Sequence, residues 1–151
     1  MNKSWIANGF TAANALFGGL SIMMSISGEY HVAAICILIA MAADAFDGRV
    51  ARALGTAGPM GVELDSLSDD ISFGVAAGAL MYSYQLRELG ALGFIPCALL
   101  GAFCAFRLAR FNVKVTSVHG YFEGLPCPTV GVIIACYVLS GVKIWNWLAM
   151  V

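Results

Sequence analysis

Charged residues are scarce in this 151-residue chain, with eight Lys and Arg and nine Asp and Glu making up 11% of the sequence. Soluble domains carry about 25%. A net charge of −1 provides no basic excess to attract nucleic acid. The five cysteines lack the Cys-x2-Cys spacing of a zinc site. Since 60% of the residues are hydrophobic, the composition indicates a protein whose solvent is lipid.

Three long stretches contain no charge at all, namely residues 4–28, 89–106 and 124–142. Each supplies much of a helix that crosses a hydrocarbon core of about 30 Å, which takes about 20 residues. The first run is too long for the core of a signal peptide and more spans follow it, so we interpret it as a retained helix. No polar linker divides the chain, which predicts one membrane-embedded domain over residues 1–151.

The predicted fold is an all-α polytopic helical bundle with five clear spans and an incomplete sixth. The spans are residues 5–27, 32–54, 60–85, 89–112 and 128–141, with Gly and Pro at 55–59 separating the second from the third. Residues 145–151 either lie in the membrane interface or begin the sixth helix. One set of helix ends carries most of the basic residues, and the positive-inside rule places it in the cytoplasm. Its members are Lys3, Arg49, Arg52, Arg107, Arg110 and Lys114.

Six of the nine acidic residues lie between residues 44 and 70, inside the second and third predicted helices. Ionisable groups at membrane depth are costly and usually mark function. At about 100° per residue, Asp44 and Asp47 share one helical arc, and Asp65 and Asp69 share another. If the two helices pack together there, four carboxylates converge. The same arcs carry Gly48, Ala51, Arg52 and Gly61.

Four bare carboxylates in one apolar pocket would repel one another, and bound divalent cations relieve that repulsion. Oxygen ligands suit Mg²⁺ or Mn²⁺, and Ca²⁺ accepts the same donors. Four carboxylates fit two ions about 3.5–4 Å apart that clamp phosphoryl oxygens. The alternatives are a cation transporter and a non-catalytic lipid-binding scaffold. A transporter needs acids stepped across the whole membrane, whereas these cluster near one end.

The acids and their neighbours fill all the fixed positions of the pattern Asp-x2-Asp-Gly-x2-Ala-Arg-x8-Gly-x3-Asp-x3-Asp, from Asp44 to Asp69. The chain therefore resembles the CDP-alcohol phosphotransferase family. The resemblance implies a membrane enzyme, usually dimeric, that cleaves the pyrophosphate of a CDP-linked lipid and releases CMP. It implies that Asp44, Asp47 and Asp65 bind metal, and that Asp69 completes the metal site and acts as the base. It also implies that Gly48 and Arg52 bind the CDP moiety, beside the small residues Ala51 and Gly61.

Further blocks resemble the branch of the family that uses L-serine as the acceptor, at residues 8–14, 47–52, 63–67, 72–75, 107–112 and 124–128. The implied reaction joins serine to the phosphatidyl group of CDP-diacylglycerol in the inner or plasma membrane. Glycerol phosphate or inositol phosphate would need an additional basic pocket, and few basic residues are spare for one. Arg107, Arg110 and Asn112 are the candidates for the acceptor site, although arginines at helix ends also snorkel to headgroups.

Two asparagines, Asn8 and Asn14, lie on the uncharged first helix. They either line the pocket or hydrogen-bond to neighbouring helices. Glu63 and Asp70 fall on a different helical arc from Asp65 and Asp69, which predicts a non-catalytic role for both.

Overall fold

The computed structural model describes residues 4–54, 58–114 and 126–143. Helices account for all the regular structure in these ranges, which confirms the predicted all-α fold. The proposed interfacial segment 145–151 lies outside the described residues. The elements in chain order are α1 (Ser4–Ile26), α2 (Tyr30–Leu54), α3 (Pro59–Asp69), a π-helical segment (Asp70–Val75), α4 (Ala76–Tyr84), a 3₁₀ turn (Leu86–Leu89), α5 (Ala91–Lys114) and α6 (Cys127–Leu139).

The first two helices form a tight antiparallel hairpin. Gly28 ends α1 with a φ of +85°, a left-handed conformation that glycine adopts without a steric penalty. The main-chain N–H of Glu29 then donates to the carbonyl of Met24 over 2.9 Å, so the chain reverses within a few residues. This turn places α2 along α1, and residues from both helices reach the same end of the bundle.

The predicted third helix, residues 60–85, is confirmed in extent but contains an irregularity that the sequence pattern did not predict. Pro59 occupies its first turn, where the missing N–H has no helical partner in any case. Between α3 and α4 the hydrogen bonds widen to the π spacing, and the N–H of Ala76 donates to the carbonyl of Ile71. Ser72, Phe73 and Gly74 of this segment are buried. The π geometry therefore lies at the centre of the bundle, directly after Asp69.

Small residues let the helices of the core approach closely. Alanines of α2, α4 and α6 are fully buried in the core, and Phe73 is the largest fully buried side chain among the described residues. A Cβ on Gly131 of α6 would lie 2.8 Å from the ring of Phe73. The alanines are Ala33, Ala34, Ala40, Ala76, Ala77 and Ala135.

The bundle carries apolar side chains on its outside and polar side chains within. Met23, Phe103 and Phe106 are all more than 60% exposed. Within the described ranges, three helical stretches are long and apolar enough to cross a membrane: Asn8–Ile26, Tyr30–Val50 and Ala91–Val113. Lipid is the solvent in which such a surface is stable, and the chain is a multi-pass membrane protein. Its buried polar residues include Thr11, Asn14, Asp47, Ser68, Asp69 and Ser72.

Candidate metal centre

Three aspartates from two helices meet at one point. Carboxylate oxygens of Asp44 and Asp47 on α2 and of Asp65 on α3 all lie within 4.8 Å of one another. Asp47 is 5% exposed, and the other two are half-buried. Helical periodicity explains the arrangement, because Asp44 and Asp47 are one turn apart on the same face of α2.

The fourth aspartate of the pattern adjoins this group. Asp69 lies one turn after Asp65 and is 8% exposed. The carboxyl group of Asp44 is within hydrogen-bonding range of both Asp65 and Asp69. Two ionised carboxylates cannot share a hydrogen bond, so a proton or a cation must stand between them. The structure thus brings the four predicted side chains together.

Helix α1 supplies partners to both pairs of aspartates. The side chain of Thr11 hydrogen-bonds to Asp47. The Nδ2 of Asn14 donates to Oδ1 of Asp69 over 3.1 Å. Sequence reasoning left Asn14 as either a pocket residue or a hydrogen-bonding contact between helices, and it missed Thr11. The available signal was their spacing, since two polar residues three positions apart share one face of an apolar helix.

The aspartate group fits a hard divalent cation. Oδ2 of Asp47 and Oδ1 of Asp65 are buried and have no hydrogen-bond partner. A buried unpaired carboxylate oxygen is strongly unfavourable, and a bound cation satisfies it. The donors are all carboxylate oxygens, which suits Mg²⁺, Mn²⁺ or Ca²⁺ rather than a thiolate-preferring metal. The acidic cluster is therefore able to hold metal, as the sequence predicted.

The predicted CDP-binding residues lie next to this group along the chain. Gly48 is half-buried directly after Asp47 on α2. A Cβ on Gly61 would meet no atom within 4 Å, so open space adjoins α3 one turn before Asp65. Ala51 and Arg52 belong to the last turns of α2, and their side chains lie outside the described part of the chain.

The three candidate acceptor residues have different surroundings. Nη1 of Arg107 contacts Sγ of Cys127 at the start of α6 over 3.4 Å. Arg110 is exposed. Nδ2 of Asn112 donates to Oγ of Ser66 over 3.0 Å, which fixes the end of α5 to the residue after Asp65. Asn112 is thus tied directly to the helix that carries the aspartates.

The two acids predicted to be non-catalytic are oriented differently from the metal-site candidates. Glu63 is exposed on α3. Asp70 contacts the side chain of Cys104 on α5. Their separate helical arc therefore gives them separate surroundings, and their lack of a catalytic role stays a prediction.

Comparison with known proteins agrees with this geometry. Residues 4–151 match the family described as CDP-alcohol phosphatidyltransferase, and the chain belongs to that family. It is 38% identical over 133 residues to a CDP-diacylglycerol–serine O-phosphatidyltransferase of Helicobacter pylori, an alignment covering 87% of this chain and 56% of the relative. The family resemblance of the aspartate pattern is thereby confirmed.

Two further relatives come from different branches of life. An archaetidylserine synthase of Methanothermobacter thermautotrophicus is 40% identical over 130 residues, covering 85% of this chain and 55% of that protein. A CDP-diacylglycerol–serine O-phosphatidyltransferase of Bacillus subtilis is 38% identical over 122 residues, covering 80% of this chain and 68% of that protein. The chain thus spans a little over half the length of the first two relatives.

Proposed function

We propose that this protein transfers the phosphatidyl group of CDP-diacylglycerol to the hydroxyl of L-serine, forming phosphatidylserine and CMP. The convergence of Asp44, Asp47 and Asp65 at one buried point carries the proposal. Membership of the CDP-alcohol phosphatidyltransferase family supports the reaction class. The names of the similar proteins from Helicobacter pylori and Bacillus subtilis support serine as the acceptor.

The reaction is a displacement at the phosphorus that bears the lipid. The serine oxygen forms a new bond to this phosphorus, and the bond to the bridging oxygen of the pyrophosphate breaks. That oxygen leaves with the cytidine phosphate as CMP. Asp69 accepts the proton of the serine hydroxyl, a contribution worth about 10²–10⁴-fold in rate. The aspartates would hold Mg²⁺ or Mn²⁺ at a two-metal site, and the bound ions would supply positive charge to offset that of the pyrophosphate.

In this proposal Asp44, Asp47, Asp65 and Asp69 hold the ions, and neighbouring residues hold the nucleotide. Thr11 fixes Asp47 by its hydrogen bond and so orients one metal ligand. The open space beside Gly61 admits a bulky group near the aspartates. Gly48, Ala51 and Arg52 complete the CDP site, and the guanidinium of Arg52 offers paired donors to a phosphate.

The acceptor site is assigned to the end of α5 near the aspartates. Arg107 and Arg110 provide positive charge for the carboxylate of serine. Asn112 holds this end of α5 against α3 through Ser66. These three residues therefore determine where the serine hydroxyl lies relative to the lipid phosphate.

The orientation follows from the distribution of basic residues. Arg49, Arg107 and Arg110 lie at the end of the bundle that carries the aspartates, and Arg87 and Lys143 lie at the other end. By the positive-inside rule the active site faces the cytoplasm in the cell membrane, where serine and CDP-lipid are both available. The family resemblance also supports a homodimer.

A single assay tests the proposed function. The purified protein in detergent is incubated with CDP-diacylglycerol, Mg²⁺ or Mn²⁺ and one alcohol at a time, and CMP release is measured. We expect serine to support turnover and omission of the metal to abolish it. Faster turnover with glycerol phosphate or inositol phosphate would reassign the acceptor. Cation flux across the membrane of liposomes that contain the protein, without CMP release, would instead indicate that the protein is a transporter.

A further inference from the structure

A hydrogen bond joins the first helix to the last aspartate of the cluster. Asn14 is fully buried, and its Nδ2 donates to Oδ1 of Asp69 over 3.1 Å. An ionised carboxylate only accepts hydrogen bonds, so the amide must present its nitrogen to Asp69. We propose that Asn14 is a positioning residue for Asp69 that acts through this bond without touching the substrate. The inference rests on the proposed function, in which Asp69 is the base.

The main chain of Asn14 is itself fixed to the helix that carries Asp69. Oγ of Ser72, a fully buried residue of the π-helical segment, donates to the carbonyl oxygen of Asn14 over 2.9 Å. Asn14 therefore makes two hydrogen bonds, one with Asp69 at the end of α3 and one with Ser72 in the π-helical segment. This pair of bonds fixes both the depth and the rotation of Asn14 relative to Asp69.

The bond to Asp69 restricts the orientation of its carboxylate. With Oδ1 held by Asn14, rotation about the Cβ–Cγ bond is limited, so the direction in which the carboxylate faces a cation or the serine proton is set. Residues that hold a ligand carboxylate in this way typically contribute about 10–100-fold to metal affinity or activity. Asn14 thus acts on the reaction by orienting the base.

Space filling alone does not explain an asparagine at this position. Oδ1 of Asn14 is buried and has no hydrogen-bond partner. A buried unpaired acceptor destabilises the fold and offsets part of the gain from the bond to Asp69. Leucine has a similar size and removes that unpaired acceptor, but it leaves Oδ1 of Asp69 without its donor. The amide is therefore explained by the donor that it supplies to Asp69.

The first experiment compares Asn14→Leu with the wild type and with Ser21→Ala, which changes another fully buried polar residue of α1 two turns away. We expect Asn14→Leu to lower kcat by about 10–100-fold. The KM values for serine and CDP-diacylglycerol should stay close to those of the wild type. The melting temperature in detergent should fall modestly, because Oδ1 of Asp69 loses a buried donor. The kcat of Ser21→Ala should equal that of the wild type. Asn14→Ser, whose short side chain does not reach Asp69, is the second variant should Asn14→Leu fail to fold.

The second experiment is a double-mutant cycle with Asp69→Asn, read out by residual turnover and by Mn²⁺ affinity from electron paramagnetic resonance. If Asn14 acts through Asp69, then Asn14→Leu weakens Mn²⁺ binding in the wild-type background and has no further effect in the Asp69→Asn background. If Asn14→Leu weakens Mn²⁺ binding and turnover by the same factor in both backgrounds, the inference is overturned. Unchanged kcat and Mn²⁺ affinity in Asn14→Leu would also overturn it. Absence of CMP release by the wild type would instead refute the proposed function, and the Mn²⁺ cycle would still decide the role of Asn14.

Discussion

Gly18 and Ser72 are in direct contact where α1 packs against the π-helical segment. A Cβ on Gly18 would lie 2.9 Å from Cα of Ser72 and 2.3 Å from its Oγ. A main-chain atom cannot rotate away as a side-chain tip can, so the two helices reach this separation only with glycine at position 18. Because Ser72 also holds the carbonyl of Asn14, the contact fixes the distance between α1 and Asp69.

This contact predicts that alanine substitutions at two neighbouring glycines differ in their effect on the stability of the protein. Gly18→Ala should destabilise the protein by about 1–3 kcal/mol, the usual effect of adding a methyl group to a packed interface. Gly19→Ala is the matched control, because a Cβ there would meet no atom within 4 Å. Thermal unfolding in detergent measures both. Equal melting temperatures for the two variants would show that α1 does not pack against Ser72 in this way.

Loss of one proposed ligand should weaken metal binding. Asp65→Asn removes the charge of a carboxylate that lies within 4.8 Å of those of Asp44 and Asp47. We expect Mn²⁺ affinity to fall by more than the roughly 10–100-fold effect of residues that merely support a ligand. Glu63→Gln is the control, since it changes an exposed acid on the same helix. Wild-type Mn²⁺ affinity in Asp65→Asn would remove Asp65 from the metal site.

The proposed base predicts a variant that binds but does not turn over. Asp69→Asn should retain binding of CDP-diacylglycerol and lower kcat by about 10²–10⁴-fold, the range for loss of a general base. Asp70→Asn provides a sequence neighbour as the control, because Asp70 contacts Cys104 rather than the aspartate cluster. Binding is measured by equilibrium dialysis with labelled lipid in detergent, and turnover by CMP release. Normal turnover in Asp69→Asn would reject the assignment.

Helical periodicity was sufficient to predict which aspartates share a face. Asp44 with Asp47, and Asp65 with Asp69, are related by spacings within a single helix, and such relations are set by local geometry. The one remaining assumption was that the two helices pack along these faces. The distances among Asp44, Asp47 and Asp65 agree with it.

Contacts between distant segments could not be predicted in the same way. The pairing of Asn14 with Asp69 depends on how far α1 slides along α3, and close packing at Gly18 sets that register. The π-helical segment at 70–75 has no Pro or Gly pair at its start that would mark it in the sequence. The contact of Arg107 with Cys127 likewise joins residues of two different helices, α5 and α6.

The bond between Asn112 and Ser66 leads to a prediction about the acceptor. Nδ2 of Asn112 donates to Oγ of Ser66 over 3.0 Å, and Ser66 directly follows Asp65. Breaking the bond releases the end of α5, which carries Arg110, from α3. We therefore expect Asn112→Ala to raise the KM for serine while the KM for CDP-diacylglycerol stays nearly constant.

A hydrogen bond of this kind contributes about 0.5–1.5 kcal/mol, so the expected rise in the serine KM is about 2–10-fold. Ser66→Ala should cause a similar rise, and the double variant should resemble either single one, because both remove the same bond. Val113→Ala, an exposed apolar neighbour, is the control. Effects of Asn112→Ala and Ser66→Ala that multiply in the double variant would show that Asn112 contacts serine directly rather than positioning α5.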